Sequence, residues 1–400
     1  MANTYDVVVA GGGHNGLTTA CYLAKAGNSV CVIEKNEMVG GGVVSKELVA
    51  PGFISDQCST IHWLAQYSPV IANDELGLIS KYGLKYLYPE CQMCIHFTDG
   101  TTLGIYRSLD KTCESIAKYS QQDAETYRKF SEWAAIGSKM IVQGFAAPPP
   151  PFGTFASMMD SADEPREMLR CMMMSVKEVI DEWFVHPKTR IALTRWISEI
   201  MVSPKTQGTG IMVFVMLGLA HTPPGGGMPV GGSGKLSQVM EQYLKDNGAT
   251  IMLNSTVKEF IVSDGKCTGV RLESGEEIMG TKMVVADMNI RNLPDMVGGE
   301  KNLDPEFIRK VNRLRPSFSA FQQSIALNEA PKFVCDDPDL NNSFLTEFAP
   351  DDYETYLRYF DDLEYGIPNH YPLISVQSIH DPLAAESTEV LSFPVFGVSL

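Results

Sequence analysis

The feature that most constrains this chain is a strand, a glycine turn and a helix within its first 27 residues. Residues 7–10 (Val-Val-Val-Ala) form a short apolar run rich in β-branched side chains, which is typical of a buried parallel strand. The run stops at Gly11, and Gly11-x-Gly13-x-x-Gly16 leads into an apolar-periodic helix that ends at Gly27. Such glycines permit a tight turn, a close approach of the backbone to a pyrophosphate and close packing of helix on strand. This order of elements predicts a dinucleotide-binding unit.

An acid follows the next predicted strand. Residues 29–33 form this predicted strand. Glu34 follows it directly and lies 18 residues after Gly16. A carboxylate at this place accepts hydrogen bonds from a ribose diol and repels a 2′-phosphate, while the helix N-terminus offers N–H groups to phosphates. The residues therefore favour an adenine dinucleotide without the 2′-phosphate, either FAD or NAD.

A second glycine cluster, Gly40 to Gly42, comes soon after Glu34. An acid followed by a few residues and a glycine cluster resembles the extended signature of the two-domain flavoenzymes that include amine oxidases and phytoene desaturases. In those families the cluster lies against the FAD phosphates, so the resemblance implies FAD. Most members have an arginine just after the cluster, where this chain has Val43 and Val44. That departure removes one expected charge partner of the pyrophosphate.

Composition limits the partners and the compartment. The 32 basic and 48 acidic residues give a net charge of −16, which argues against nucleic acid and anionic lipid as partners. Nine scattered cysteines fit a reducing compartment better than a disulfide framework. The N-terminus lacks the regions of a signal peptide, and the longest apolar run, 211–220, is about half of a membrane span. We expect a cytoplasmic protein without a transmembrane segment; peripheral membrane contact and homo-oligomer formation stay open.

The middle of the chain is predicted to form a β-hairpin followed by helices. Residues 82–106 alternate around the turn Thr98-Asp99-Gly100, which predicts a β-hairpin. Cys91 and Cys94 would then point to opposite faces of one strand, so we predict neither a redox pair nor a zinc site there. Predicted helices cover 108–142, 168–184, 189–201 and 211–221. Methionines 168 and 172–174 are more often core residues than a surface for apolar ligands, by about two to one.

Residues 223–290 contain a second group of segments predicted to belong to the cofactor-binding domain. A glycine segment with Gly231, Gly232 and Gly234 precedes a helix, three strands and the buried-strand pattern of residues 283–287. The stretch from Gly248 to Val257 matches the pattern G-x-x-I-x-x-N-x-x-V, with which the same flavoenzymes complete their FAD sheet. The resemblance implies that the backbone of Val257 brackets the adenine and that Gly231, Gly232 and Gly234 lie near the flavin.

The predicted fold is α/β, with a Rossmann-like FAD-binding domain of the type with two dinucleotide motifs, interleaved with an α+β substrate domain. Residues 1–60 and 223–300 would form the FAD-binding domain, and residues 61–222 and 301–400 the substrate domain with its helical lid. The relatives complete the first domain near their C-terminus with a glycine-rich strand, turn and helix. That segment is missing here, so we expect the chain to be part of a longer protein.

The chain closely resembles the phytoene desaturase-like FAD-dependent oxidoreductases, a group that includes the pyridine nucleotide-disulfide oxidoreductase domain-containing protein 2 type. The resemblance implies an enzyme that dehydrogenates or isomerises a small apolar substrate, isoprenoid-like or alicyclic, by hydride transfer to flavin N5. Oxygen, a quinone or another carrier would then take the electrons. Two alternatives stay open, a flavin amine oxidase and a flavin-binding protein without catalysis.

The candidate site residues follow from these motifs. No metal site is predicted. His62 and Asp56 are the candidates for a catalytic base, because the equivalent stretch in the relatives passes the flavin ring. The predicted cofactor-binding residues are Gly11, Gly12, Gly13, Asn15, Gly16, Glu34, Lys35, Gly41, Gly42 and Val257.

Overall fold

Two six-stranded sheets organise the chain in the computed structural model, which describes residues 3–145, 147–315, 317, 320–367, 371–381, 383–384 and 389–396. The strands are β1 (Asn3–Ala10), β2 (Val30–Ile33), β3 (Ser45–Glu47), β4 (Ile54–Asp56), β5 (Tyr86–Leu87), β6 (Cys91–Phe97), β7 (Thr102–Tyr106), β8 (Met228–Pro229), β9 (Thr250–Met252), β10 (Val257–Ser263), β11 (Lys266–Leu272), β12 (Glu277–Ala286), β13 (Ala320–Leu327), β14 (Leu345–Ala349), β15 (Leu373–Val376) and β16 (Glu389–Phe396).

The α-helices are α1 (His14–Lys25), α2 (Pro69–Ala72), α3 (Leu109–Ala117), α4 (Gln121–Phe145), α5 (Phe152–Met159), α6 (Asp163–Met173), α7 (Val176–Trp183), α8 (Pro187–Ile197), α9 (Ile211–Ala220), α10 (Gly234–Asp246), α11 (Leu293–Met296), α12 (Pro305–Arg313), α13 (Tyr353–Glu364) and α14 (Gln377–His380). Short 3-10 turns cover Leu64–Tyr67, Ser198–Ile200, Ile290–Asn292, Gly299–Lys301 and Pro338–Asn342. Within the described ranges, no helix combines the length and the apolar character that crossing a membrane requires.

The first sheet has the strand order β10-β11-β12-β1-β2-β9. Strands β12, β1, β2 and β9 run parallel, and β10 to β12 form an antiparallel meander at one end. Both faces of β1 are covered: Val7 and Val9 pack with α1 and α10, whereas Val8 and Ala10 pack with Phe260 and the β11 side chains. This two-sided burial explains why β1 is continuously apolar rather than alternating.

The second sheet has the order β13-β16-β15-β14-β6-β7 and supports a layer of helices. The largest apolar cluster of the described chain lies here and joins β6 and β7 to α4, α6 to α9 and α13. Helix α9 is apolar all round and is buried from Val213 to Ala220, as expected of a central helix. Met168 and Met172 are buried in the same cluster, so these two methionines belong to the core.

The predicted α/β fold class is confirmed, and several of the local predictions are refined. The hairpin of β6 and β7 forms, but Tyr86–Leu87 pairs with β8 instead of extending it. Each of the two six-stranded sheets takes its described strands from one of the two predicted sets of segments, whereas the pair of β5 and β8 joins the two sets. The domain boundaries themselves stay a prediction. The strand before Asp287 is parallel to β1 as expected, although Met283 is exposed.

One prediction about the hairpin is wrong. Cys91 and Cys94 do not point to opposite faces, because a register irregularity between Cys91 and Met93 brings both thiols into one small cluster with Leu340. Both are free thiols, and burial raises the pKa of Cys91 to about 12 and that of Cys94 well above its usual value. Buried, protonated thiols are poor nucleophiles, so the conclusion that this is not a redox pair stands on burial and not on strand geometry.

Candidate functional site

The glycine turn after β1 fits its place too closely for a side chain. Gly11 has a φ of +110°, and a Cβ at this position would lie 2.0 Å from the carbonyl oxygen of Asp287. Asp287 itself follows β12, and its N–H donates to the carbonyl of Ala10 at 2.8 Å. The two parallel strands therefore end side by side, and only glycine can make the turn between them.

Helix α1 begins directly at this turn, with Gly13 as its N-cap and no side-chain cap of its own. The missing acceptor comes from far along the chain, because Asp287 Oδ2 accepts a hydrogen bond from the N–H of Gly16 at 2.8 Å. A carboxylate at this place complements the positive end of the helix dipole. Asn15 lies in the first turn and is exposed. The N-terminus of α1 is thus held by a neighbouring strand.

The second glycine cluster packs against the first. The N–H of Gly40 donates to the carbonyl of Gly12 at 2.7 Å, and Gly13 and Gly40 form a parallel bridge. Gly41 has a φ of +61°, and its Cβ would meet the Cα of Gly13 at 3.1 Å. Val43 is buried in the core between β1 and α10. The position where most relatives have arginine therefore faces the interior.

Glu34 closes the turn from the end of β2. Its Oε2 accepts from the N–H of Gly12 at 2.9 Å, and its Oε1 accepts from the N–H of Asn36 at 2.9 Å and from Asn36 Nδ2 at 2.7 Å. The side chain is buried at 6% exposure. The carboxylate is fixed at the rim of the glycine turn, in the orientation that its own loop imposes.

These segments surround a cavity of about 360 Å³ at the carboxyl edge of the parallel strands. Such an edge is where open α/β sheets bind dinucleotides. The predicted residues Gly12, Asn15, Gly16 and Gly42 belong to the two glycine segments that border the cavity. The predicted residues that line it are Gly11, Gly13, Glu34, Lys35, Gly41 and Val257. A cavity floored by glycine backbone beside a helix N-terminus fits a dinucleotide diphosphate.

Asp56, the last residue of β4, lies beside the start of α10, where the glycine segment with Gly231, Gly232 and Gly234 ends. Its Oδ1 accepts from Ser45 Oγ and from the N–H of Ser233 at 2.8 Å, and its Oδ2 accepts from Gln377 Nε2 at 2.9 Å. Ser45 Oγ also accepts from the N–H of Gly234 at 2.7 Å. The side chain is fully buried, and this burial raises the pKa of Asp56. Asp56 thus ties β4 to the start of α10 and to α14.

His62 lies on the opposite flank of the same glycine segment. Its backbone pairs with Gly227, and Nδ1 makes a 3.0 Å hydrogen bond with the hydroxyl of Tyr86. Nε2 is buried and has no hydrogen-bond partner among the described residues. Burial, with a smaller contribution from His14, lowers the pKa of His62 to about 4. The neighbouring Trp63 packs edge-to-face on Trp196, with ring centroids 5.1 Å apart. His62 is therefore a neutral imidazole at the edge of the helical layer.

Comparison with known proteins identifies the class of ligand. Residues 6–137 match the model of the FAD dependent oxidoreductase family. The chain is 25% identical over 374 residues to a subunit of the limonene dehydrogenase of Castellaniella defragrans, covering 90% of this chain and 67% of that protein. It is 25% identical over 427 residues to pyridine nucleotide-disulfide oxidoreductase domain-containing protein 2 of Rattus norvegicus, covering 97% and 72%. The chain is an FAD-dependent oxidoreductase.

The likeness to the phytoene desaturase-like group, stated from the sequence, is thereby confirmed. A solved structure of a putrescine oxidase variant superposes on this flavoenzyme with a TM-score of 0.63 at 14% identity, covering 100% of this chain and 76% of the other. At that identity the likeness shows the fold of the flavoenzyme and not its substrate.

Sequence reasoning missed several residues of the flavoenzyme's site. Asp287 could have been found, since it directly follows a predicted parallel strand, where ligand-binding residues concentrate. Tyr86 and Gln377 carry no such signal, because each reaches the site through a contact between segments that are distant in sequence. Within the described part of the chain, no three His, Cys, Asp or Glu side chains form a cluster that could hold a metal ion.

Proposed function

We propose that this flavoenzyme dehydrogenates an apolar, unsaturated substrate of isoprenoid or alicyclic type, removing a hydride and a proton to form a double bond. The observation that carries the proposal is the buried, neutral imidazole of His62. Its Nε2 is unpartnered among the described residues, and its sequence neighbours Ile61 and Trp63 pack against the large apolar cluster. A single neutral base in dry surroundings suits proton loss from carbon better than binding of a charged substrate.

The cofactor would be held by the residues around the 360 Å³ cavity. Backbone of Gly11 to Gly13 and of Gly41 would face the diphosphate, Glu34 would accept from the ribose, and Val257 would border the adenine. When bound, FAD supplies a two-electron acceptor for a hydride. The protein contributes position, an apolar environment and a proton acceptor.

We assign the proton acceptor to His62 and a positioning role to Tyr86. In the tautomer that this role requires, Nδ1–H donates to the hydroxyl oxygen of Tyr86, which fixes the ring and leaves Nε2 to accept a proton. With a pKa of about 4, His62 is neutral at pH 7 and is a weak base. It suits a substrate carbon whose proton becomes acidic as the hydride departs.

Asp56 supports the site without taking part in proton transfer. Its carboxylate already accepts from Ser45, the Ser233 N–H and Gln377. These three donors occupy three of the four lone-pair positions of the carboxylate, which leaves little capacity for a proton or a substrate amine. We therefore propose that Asp56 fixes the glycine segment before α10.

The relatives support an apolar substrate. Limonene dehydrogenase is named for a cyclic hydrocarbon, and the sequence of its matched subunit is similar to nine tenths of this chain. An amine oxidase would handle a cation, which requires a carboxylate or an aromatic cage. The bonds of Asp56 weigh against the first of these arrangements.

The proposal is tested with the chain purified, supplied with FAD and kept free of oxygen. A cyclic alkene such as limonene should bleach the visible flavin absorbance, and His62→Gln should slow the bleaching at least about tenfold while leaving FAD binding unchanged. Bleaching by cyclohexylamine or putrescine instead would identify an amine oxidase. A flavin that binds but is reduced by neither donor would favour a binding protein without catalysis.

A further inference from the structure

The cavity at the glycine turn has an unusual balance of charge for a diphosphate ligand. Two carboxylates, Glu34 and Asp287, line it, and FAD brings further negative charge. Where most relatives have an arginine after the second glycine cluster, this chain has Val43 and Val44, and both are buried. Lys35 is the one cation among the described residues that line this cavity, and a second cation would offset the repulsion further.

A second cavity, of about 370 Å³, adjoins the first and shares Lys35, Asn36 and Gly41 with it. Its further lining includes Lys46, Gln57 and Asn254. The wall that begins at the glycine cluster thus carries two ammonium groups and several amides, together with the carboxylate of Glu37. The ammonium and amide groups matter for an anionic ligand. This is the donor set that binds phosphate oxygens.

The hairpin of β3 and β4 determines where Lys46 lies. Ser45 points inward to Asp56 and Gly234, and the next residue of the strand, Lys46, lies on the other face beside the second cavity. Lys46 pairs with Glu37 at 3.6 Å, with 35% and 69% of the two side chains exposed. An exposed pair at this distance contributes little to stability, so Lys46 can exchange Glu37 for a phosphate at small cost.

We propose that Lys46, together with Lys35, binds the diphosphate of FAD and replaces the arginine missing after the second glycine cluster, while Glu37 competes for the Lys46 ammonium. This inference rests on the proposed FAD site, and it adds a binding residue that the sequence pattern does not indicate. Lys46 lies five residues beyond the glycine cluster's Gly41, on a strand that returns past the turn.

The test measures dissociation constants of FAD, ADP and adenosine for the 400-residue chain by calorimetric titration. Lys46→Gln should weaken FAD and ADP about tenfold, the effect of one charge-assisted bond, and leave adenosine unchanged because it has no phosphate. Glu37→Gln should tighten FAD and ADP by about two- to threefold, because it frees Lys46. The double variant should bind like Lys46→Gln alone, and Lys46→Arg should bind within about twofold of the wild type.

Lys245→Gln is the matched control, since Lys245 forms an exposed pair with Glu241 on α10. It should leave all three ligands unchanged. The inference is overturned if Lys46→Gln binds ADP as tightly as the wild type, or if it weakens adenosine as much as ADP. A wild-type chain that binds no FAD would overturn the FAD site as well, which separates that failure from the failure of Lys46 alone.

Discussion

Two helices of this flavoenzyme begin at a glycine segment, and their N-termini are used differently. Helix α1 begins at Gly13 and faces a cavity of about 360 Å³, with one distant carboxylate bonded to Gly16. At the start of α10, the N–H groups of Ser233 and Gly234 bond to buried protein side chains, Asp56 and Ser45. Similar local sequence thus gives an open cavity, the proposed FAD site, in one place and a structural junction in the other. The side chains that the rest of the fold brings to each helix N-terminus determine whether that N-terminus is free for a ligand.

The substitution expected to have the largest effect on FAD binding is at Gly11, in the turn before α1. Gly11→Ala should abolish FAD binding, because the new Cβ would lie 2.0 Å from the Asp287 carbonyl at a φ of +110°. Gly27→Ala is the control, since Gly27 also has a positive φ, +84°, but nothing within 4 Å. It should cost only about 1 kcal/mol of stability and leave FAD binding intact. Equal FAD affinity of the Gly11 variant and the wild type in a calorimetric titration would contradict this account.

Substitutions of Asp56 should change stability, because this residue holds the start of α10 in place. Asp56→Ala leaves the Ser233 N–H and Gln377 without their acceptor, and we expect a loss of about 3 kcal/mol in the free energy of unfolding. Asp56→Asn keeps one carbonyl acceptor and should lose less. Urea unfolding measures both. A fully stable Asp56→Ala protein with slow turnover would instead indicate a catalytic carboxylate.

The buried imidazole of His62 should make the free energy of unfolding depend on pH. Its pKa falls from 6.5 to about 4 on folding, so below pH 6.5 the unfolded chain binds a proton that the native imidazole does not. Stability from this group is present above pH 6.5 and is lost as the pH falls towards 4, by about 3 kcal/mol in total. Urea unfolding at several pH values should show a flatter profile for His62→Gln than for the wild type. Identical profiles would mean that His62 is not buried as neutral imidazole.

The smallest effect is expected at Asp287, which caps α1. Asp287→Ala removes the acceptor of the Gly16 N–H and should cost about 1 kcal/mol of stability. Asp287→Asn retains an acceptor oxygen and should lie between the alanine variant and the wild type. Thermal unfolding of the three proteins measures the difference. A loss as large as that of Asp56→Ala would remove the distinction between the two helix starts.

The local motifs were predictable from sequence because they depend on neighbouring residues. The strand, turn and helix of α1, the acid at 34 and the hairpin of β6 and β7 all form as expected. The contacts between distant segments were not predictable. Contacts between residues more than 100 positions apart include the cap from Asp287, the pairing of β5 with β8, and the bonds of Asp56 to Ser233 and Gln377. The shared cluster of Cys91 and Cys94 was missed because one irregular residue pair shifts the strand register.

The most direct test of the account is an experimental structure of the chain with FAD bound. The account predicts that the diphosphate lies against the first turn of α1 and Gly41, on the side of Lys46, while the start of α10 keeps its bonds to Asp56 and Ser45. A diphosphate bound at the start of α10, or away from both glycine segments, would contradict it.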